Sequence, residues 1–297
     1  MLWGEPGVFK VLSFWVVVFF GCCSDGVGGD DSAMKFCRFE TAAGARYGEV
    51  VERAGTLWIE RLLAPFEEDG WARLAQGEFE PVLFGAVKLL APVVPRKIVC
   101  IGRNYLEHAA ELGNEVPKEP LLFLKAPSAG IAPGEAIRIP AQSKRVDFEG
   151  ELAVVMGKRA KKVGAEEDVR PYIRGYTIVN DVTARDLQKS DGQWSRAKGF
   201  DTFCPMGPLV TDEVDPEAGL TVETRLNGEV KQHGSTRDLI FGVAALVRHI
   251  SAAMTLEPGD LIPTGTPAGV AAMLPGDRVE VMVEGIGVLG NPVDGPG

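Results

Sequence analysis

The sequence predicts a mostly β (α+β) protein with few helices. Three observations carry this expectation. Short apolar runs of strand length, bounded by turn residues, recur from residue 34 to the end. No stretch shows the strand–helix–strand rhythm of a parallel α/β sheet. Only residues 240–251 repeat apolar positions at helical spacing over several turns.

Taken in order, residues 1–33 stand apart from the rest. Residues 11–21 form an apolar run too short to span a bilayer comfortably and close in length to a signal-peptide core. The stretch before it has one lysine, Lys10, set against Glu5. Met34 then opens a segment that reads as a start followed by a strand. Residues 1–33 are therefore read as an extension outside the fold, either a misplaced start or a signal-like segment. Cytoplasmic location is expected, with export if the segment is a genuine signal. Residues 34–93 read as a small N-terminal domain, with strands at 36–40, 46–51 and 59–63 and a short helix over 66–76. No recognisable chemistry falls there. Pro92-Val93-Val94-Pro95 reads as a linker, and residues 94–297 as the second domain. In it, strands are expected at 97–102, 121–125, 137–139, 149–156, 174–180, 207–210, 220–226, 260–263 and 278–283. A short helix is expected over 183–190. Asn227-Gly228 is a hairpin signal between two strands.

Composition narrows the function. A net charge of −10 argues against nucleic acid as a partner, and an anionic substrate would need local cations. The five cysteines are odd in number and form no C-x-x-C pair, so neither a disulfide framework nor a structural zinc site is expected. Three histidines are too few for a multi-histidine metal centre, which leaves oxygen ligands for any metal. No stable membrane insertion of the folded unit is expected.

One stretch organises the chemistry, Val146-Asp147-Phe148-Glu149-Gly150-Glu151-Leu152-Ala153-Val154-Val155. As a strand it puts Asp147, Glu149 and Glu151 on one face and Phe148, Leu152 and Val154 on the other. Glu149 and Glu151 would lie about 7 Å apart. Two like charges on a partly buried face repel, and a hard divalent cation would resolve this. The alternative is a solvated acidic face on an edge strand. Asp181, at the end of an apolar strand, would complete a three-carboxylate site or cap the helix after it. Arg185, one turn on, suits a substrate carboxylate, or a pairing with Asp186 or Glu151. His108 and Glu111 stand three apart, as neighbours on a helical turn, so the carboxylate can orient the imidazole as a general base. The polar stretch 113–120 after them suits a mobile lid. Lys198 could neutralise an oxyanion or be an ordinary surface lysine. Cys204 reads as a small buried hydrophobe.

These segments together resemble the fumarylacetoacetate hydrolase family. The matching motifs are Gly102-Arg103-Asn104-Tyr105 with His108 and Glu111, residues 147–155, Asn180-Asp181-Val182-Thr183-Ala184-Arg185-Asp186, Lys198-Gly199-Phe200-Asp201, Leu226-Asn227-Gly228-Glu229, residues 254–260 and Thr264-Gly265-Thr266-Pro267-Ala268-Gly269. The resemblance implies a β-roll catalytic domain with a small N-terminal domain, in a homodimer. It implies Glu149, Glu151 and Asp181 as ligands of Mg²⁺, or of Mn²⁺ or Ca²⁺, and His108, Glu111 and Lys198 as catalytic residues. It implies Arg103, Tyr105, Arg185, Gln188 and Thr266 as contacts to a small 2-oxo acid substrate. The expected reaction is Mg²⁺-dependent hydrolysis of a C–C bond in an acylpyruvate-type 2,4-dioxo acid, with water activated by His108 and Glu111. Two alternatives stand beside it. One is a decarboxylase or isomerase (tautomerase) of a 2-oxo dioate such as oxaloacetate or an aromatic-degradation intermediate. The other is a non-catalytic metal-stabilised binding paralogue.

Overall fold

The computed structural model describes residues 34–64, 75, 78–111 and 116–296. Residues 1–33, nearly all of the expected helix over 66–76, and Gly113 to Glu115 of the expected lid lie outside the described residues. Among the described residues a 12-stranded sheet runs through the molecule. Its main path is Val82–Leu83, Thr56–Leu63, Gly44–Arg53, Lys35–Thr41, Cys204–Thr211, Ile173–Asn180, Gly150–Met156, Leu261–Pro263, Ile98–Gly102 and Leu121–Lys125. Every join on this path is antiparallel except that between Leu261–Pro263 and Ile98–Gly102. The first strand of the 34–93 segment pairs with Cys204–Thr211, with Phe36 opposite Val210. The boundary at residue 93 thus falls within one sheet, and the described residues belong to one compact unit.

A 5-stranded sheet packs beside it, in the order Glu229–Ser235, Thr221–Leu226, Arg278–Val283, Gly287–Asp294, Ile137–Arg138. Asn227 and Gly228 join its first two strands with φ of 54° and 83°. Both central residues of a type I′ turn need positive φ, and Asn-Gly supplies them at little cost. The Gly287–Asp294 strand was not expected, because its glycines and Pro292 read as turn residues.

The Gly150–Met156 strand lies at the centre. It is paired on both sides and buried along its whole length, so it is no edge strand. Leu152 packs with Ile178, Val222 and Val281 towards the smaller sheet. Val154 and Met156 pack with Leu246 and Ile250 of the Val243–Ala253 helix. That helix starts three residues later than expected. Asn104 explains this: its main-chain and side-chain oxygens accept from the amides of Ile240 and Phe241 and hold them outside the helix.

The stretch 146–155, read above as one strand, is two pieces. Val146–Asp147 pairs with Thr183–Ala184, and Gly150–Met156 pairs with Ile173–Asn180. Phe148 and Glu149 lie between them, outside either strand. The strict alternation therefore fails at Phe148, which joins the core of Ala153 and Val155 instead of that of Leu152.

Candidate active site

The break in the strand is what gathers the carboxylates. Glu149 accepts on its carbonyl from the Asp181 amide (2.8 Å), and its own amide donates to Asn180 Oδ1 (2.9 Å). These bonds tie the two strand ends side by side. Glu149, Glu151 and Asp181 are all buried, at 4%, 1% and 1% exposure, with carboxylate oxygens within 4.8 Å of one another. Three carboxylates without water around them need cations nearby. Lys198 Nζ bridges Glu149 Oε2 (2.7 Å) and Asp181 Oδ2 (2.6 Å). Its ammonium also lies 4.8 Å from the centre of the Phe123 ring. Lys198 is thus no surface lysine. Lys125 Nζ donates to the other Asp181 oxygen (2.6 Å) and to the Val182 carbonyl (3.1 Å).

Arg185 pairs with Asp147 and Glu149, and not with Asp186 or Glu151. Asp147 also takes both arms of Arg145, at 2.9 and 3.1 Å. Asp147 therefore anchors Arg185 from behind. Arg185 Nη1 donates to Gln188 Oε1 at 3.0 Å, one helical turn on.

Glu151 differs from its two neighbours. Among the described residues it accepts one hydrogen bond, from the Gly265 amide at 2.7 Å, and has no direct cationic partner. Burial, then Asp181 and Glu149 beside it, push its carboxyl well above the ordinary carboxylate range. Burial acts the same way on Glu149, but Arg185 and Lys198 outweigh it and hold that carboxyl far below the ordinary range. Oxygen donors only, close spacing and one uncompensated carboxylate fit a hard divalent cation.

Two glycines make this geometry accessible. Gly265 has φ of 106°, and a Cβ there would sit 2.7 Å from Asn104 Cβ, so only glycine can aim that amide at Glu151. A Cβ on Gly150 would lie 2.8 Å from Val281 Cγ1, which closes the strand against the smaller sheet. Gln232 locks the same corner. It accepts from the Gly150 amide (3.0 Å) and donates to Thr266 Oγ1 and the Pro267 carbonyl (both 2.7 Å). Thr266 in turn donates its hydroxyl to the Gly150 carbonyl at 2.8 Å.

His108 lies on the Leu106–Glu111 helix and is buried. Its Nδ1 stands 3.2 Å from Glu111 Oε2, and its Nε2 4.0 Å from Glu149 Oε1. Glu111 also accepts from the Gly269 amide at 3.2 and 3.3 Å. A cavity of about 260 Å³ opens over the carboxylates, and its wall includes Arg103, His108, Arg185, Gln188, Lys198 and Thr266. Arg103 has φ of 56°, a conformation that costs a non-glycine residue about 1 kcal/mol or more. Tyr105 is outside this wall. It is 2% exposed, its backbone bridges Leu239, and its hydroxyl is buried without a partner. The structure thus gives no cavity contact to the tyrosine that the resemblance put there.

Sequence reasoning missed Lys125, Arg145, Lys189 and Gln232. Lys125 left one trace, a lysine closing the apolar run Leu121-Leu122-Phe123-Leu124. Gln232 left none, because its partners come from positions far away in sequence.

Comparison with known proteins decides the family. The chain matches the fumarylacetoacetate (FAA) hydrolase C-terminal family over residues 97–294. This chain belongs to the fumarylacetoacetate hydrolase family. The oxaloacetate tautomerase YisK of Bacillus subtilis is 40% identical over 240 residues, 75% of this chain and 79% of that protein. The crystal structure of a 2-hydroxyhepta-2,4-diene-1,7-dioate isomerase from Mycobacterium marinum superposes with a TM-score of 0.79 at 44% identity, covering 89% of this chain and 99% of that one. A fumarylpyruvate hydrolase from Pseudomonas aeruginosa, solved with Mn²⁺ and pyruvate, gives a TM-score of 0.64 at 33% identity over 69% of this chain and 91% of that one. Members of the family are enzymes that include hydrolases, isomerases and tautomerases, and this chain shares their mostly β fold.

Proposed function

We propose that this family member is a divalent-metal-dependent enzyme that interconverts the keto and enol forms of a 2-oxo acid. One observation carries the reading: buried His108, paired through Nδ1 with Glu111, faces the Glu149 and Glu151 carboxylates across one cavity, with Asp181 joined to Glu149 through Lys198. The carboxylates would hold Mg²⁺ or Mn²⁺, and the bound cation would supply Lewis-acid stabilisation to the carboxylate and keto oxygens of the substrate. His108 takes a proton from the carbon next to the keto group and returns one on the reverse path. Glu111, at Nδ1, orients the ring and stabilises the imidazolium. Lys198 and Arg185 place fixed positive charge beside the developing enolate oxygen. Each group named is already in the cavity or bonded to a group that is. The names of the tautomerase and isomerase relatives, at 40% and 44% identity, support the same chemistry.

Hydrolysis of an acylpyruvate is the second reading, supported by the likeness to the fumarylpyruvate hydrolase. It needs the same base to activate a water. The test is a panel on protein shown to hold Mn²⁺ or Mg²⁺, following the enol absorbance of oxaloacetate and pyruvate release from acylpyruvates. Accelerated enol decay that drops about a hundredfold or more in His108→Ala is the expected result. Pyruvate release without enol conversion selects the hydrolase. No turnover of either substrate class by metal-loaded protein sinks both readings in favour of a binding protein.

A further inference from the structure

The Lys198 ammonium carries three hydrogens, and two have acceptors. One goes to Glu149 Oε2 at 2.7 Å and one to Asp181 Oδ2 at 2.6 Å. Among the described residues no further oxygen or nitrogen bonds to Nζ. The side chain is 2% exposed, so it meets almost no bulk water. A buried ammonium hydrogen without a partner is costly. The group that remains is the Phe123 ring, whose centre lies 4.8 Å from Nζ with the ammonium over it. An aromatic face attracts a cation through its quadrupole, most strongly where water is excluded. An aliphatic side chain of similar bulk would fill the same space and offer the ammonium nothing.

The chain builds this contact from two elements. Phe123 and Lys125 stand two apart on the outer strand Leu121–Lys125, so their side chains leave the same face. Lys125 meets one oxygen of Asp181, and Phe123 meets the lysine that holds the other. Trp194 and Lys198 are one helical turn apart, and the Trp194 carbonyl accepts from the Lys198 amide at 2.9 Å. The Trp194 ring meets Phe123 nearly edge to face, with centres 5.2 Å apart and planes at 70°. Trp194 is itself wedged against Gly102, where a Cβ would lie 2.9 Å from the indole. The indole therefore braces the Phe123 ring, and both rings line the cavity beside Lys198.

We infer that Phe123 is a positioning residue for Lys198, its ring face serving as the third partner of the ammonium. The consequence for catalysis rests on the function proposed above, in which Lys198 places positive charge beside the developing enolate oxygen. An ammonium held by two carboxylates and a ring keeps one location while charge builds on the substrate. The ring holds it without adding a negative charge, whereas a third carboxylate would offset the positive charge that the enolate needs.

The test replaces Phe123 of the full-length protein with mono-, di- and trifluorophenylalanine. These keep the shape of the ring nearly constant and drain its face of negative potential. Denaturant melts of the metal-free proteins read stability without any substrate. The folding equilibrium constant should fall stepwise with each fluorine, by about tenfold over the series. In a Lys198→Met background the same series should be flat, because the cation is gone. In Mn²⁺-loaded protein, kcat on the substrate that wild type turns over should fall stepwise by a similar factor, with KM within about twofold. Phe123→Leu should lose at least as much as the trifluoro protein, and Phe123→Tyr should stay near wild type. A flat stability series in the presence of Lys198 overturns the contact, and this holds even where Lys198→Met fails to fold. An equal stepwise loss with and without Lys198 also overturns it, in favour of ring packing. Stepwise loss of stability with unchanged kcat overturns the positioning role. Absence of turnover by metal-loaded wild type overturns the function proposed above and the catalytic role with it, while the melts still decide the contact.

Discussion

Lys125 shows how much a single residue can decide and how little it announces itself. Its side chain is fully buried, and it fixes one oxygen of Asp181 while Lys198 holds the other. Removing one partner of a buried pair leaves a charge without compensation, which is far worse than never having the pair. Lys125→Met should therefore lower the unfolding free energy by about 3 kcal/mol, measured by denaturant melts of metal-free protein. A loss within experimental scatter would mean that Asp181 does not depend on Lys125. The cysteines illustrate the opposite case. Burial pushes the Cys37 and Cys204 thiols up to about 12. Both should resist iodoacetamide in the folded protein near about pH 8, with peptide mapping as the readout, and react only on unfolding. Rapid labelling of Cys204 in native protein would contradict its reading as a small buried hydrophobe.

Among the elements, the strand break at Phe148 and Glu149 matters most. An unbroken strand would carry Glu149 and Glu151 on one face about 7 Å apart. The break, held by Asn180 and Gln232, lets Glu149 turn towards Asp181 and Lys198. Gly150 is the pivot, packed where a Cβ would press on Val281. Gly150→Ala should destabilise the protein by about 2 kcal/mol and weaken Mn²⁺ binding in parallel. Unchanged metal affinity in a folded Gly150→Ala protein would detach the pivot from the site. The i, i+2 spacing of the glutamates was legible because it is local. The break was not, because the bonds that create it come from residues 31 and 82 positions away.

At the scale of the whole molecule, the site's charge balance sets the pH dependence. Glu151 has its carboxyl raised by burial, then by Asp181 and Glu149. Between the unfolded and folded values the native state keeps a proton that the unfolded chain has lost. The metal-free protein therefore loses stability as pH rises through that window. A cation replaces the proton, so the rise in Tm on adding Mn²⁺ should be larger near about pH 8 than near about pH 5.5. A rise that is equal at both, or greater in acid, would show that Glu151 is not titrating against the metal. Assembly belongs to this scale too. The outer strand Leu121–Lys125 leaves Leu121 and Leu124 at 39% and 50% exposure, close in sequence to the exposed Leu106. Sheet edges with exposed leucines invite pairing. A homodimer is the proposal, and light scattering should report twice the 31.8 kDa chain mass; a monomer at working concentration would end it.

The sequence by itself determined the mostly β class, the family, the carboxylate set and the His108–Glu111 pair. Each of these is written in short segments: apolar runs of strand length, an i, i+2 pair of glutamates, an i, i+3 turn of helix. Local spacing survives folding because backbone geometry converts it directly into distance. Only the tertiary structure decided that residues 34–93 extend the same sheet, that Tyr105 lies outside the cavity, and that Lys125 stands behind Asp181. It also decided which cations are engaged with the carboxylates. Those outcomes depend on pairings between residues far apart in the chain, where burial turns each unpaired charge into a cost that some distant partner must offset.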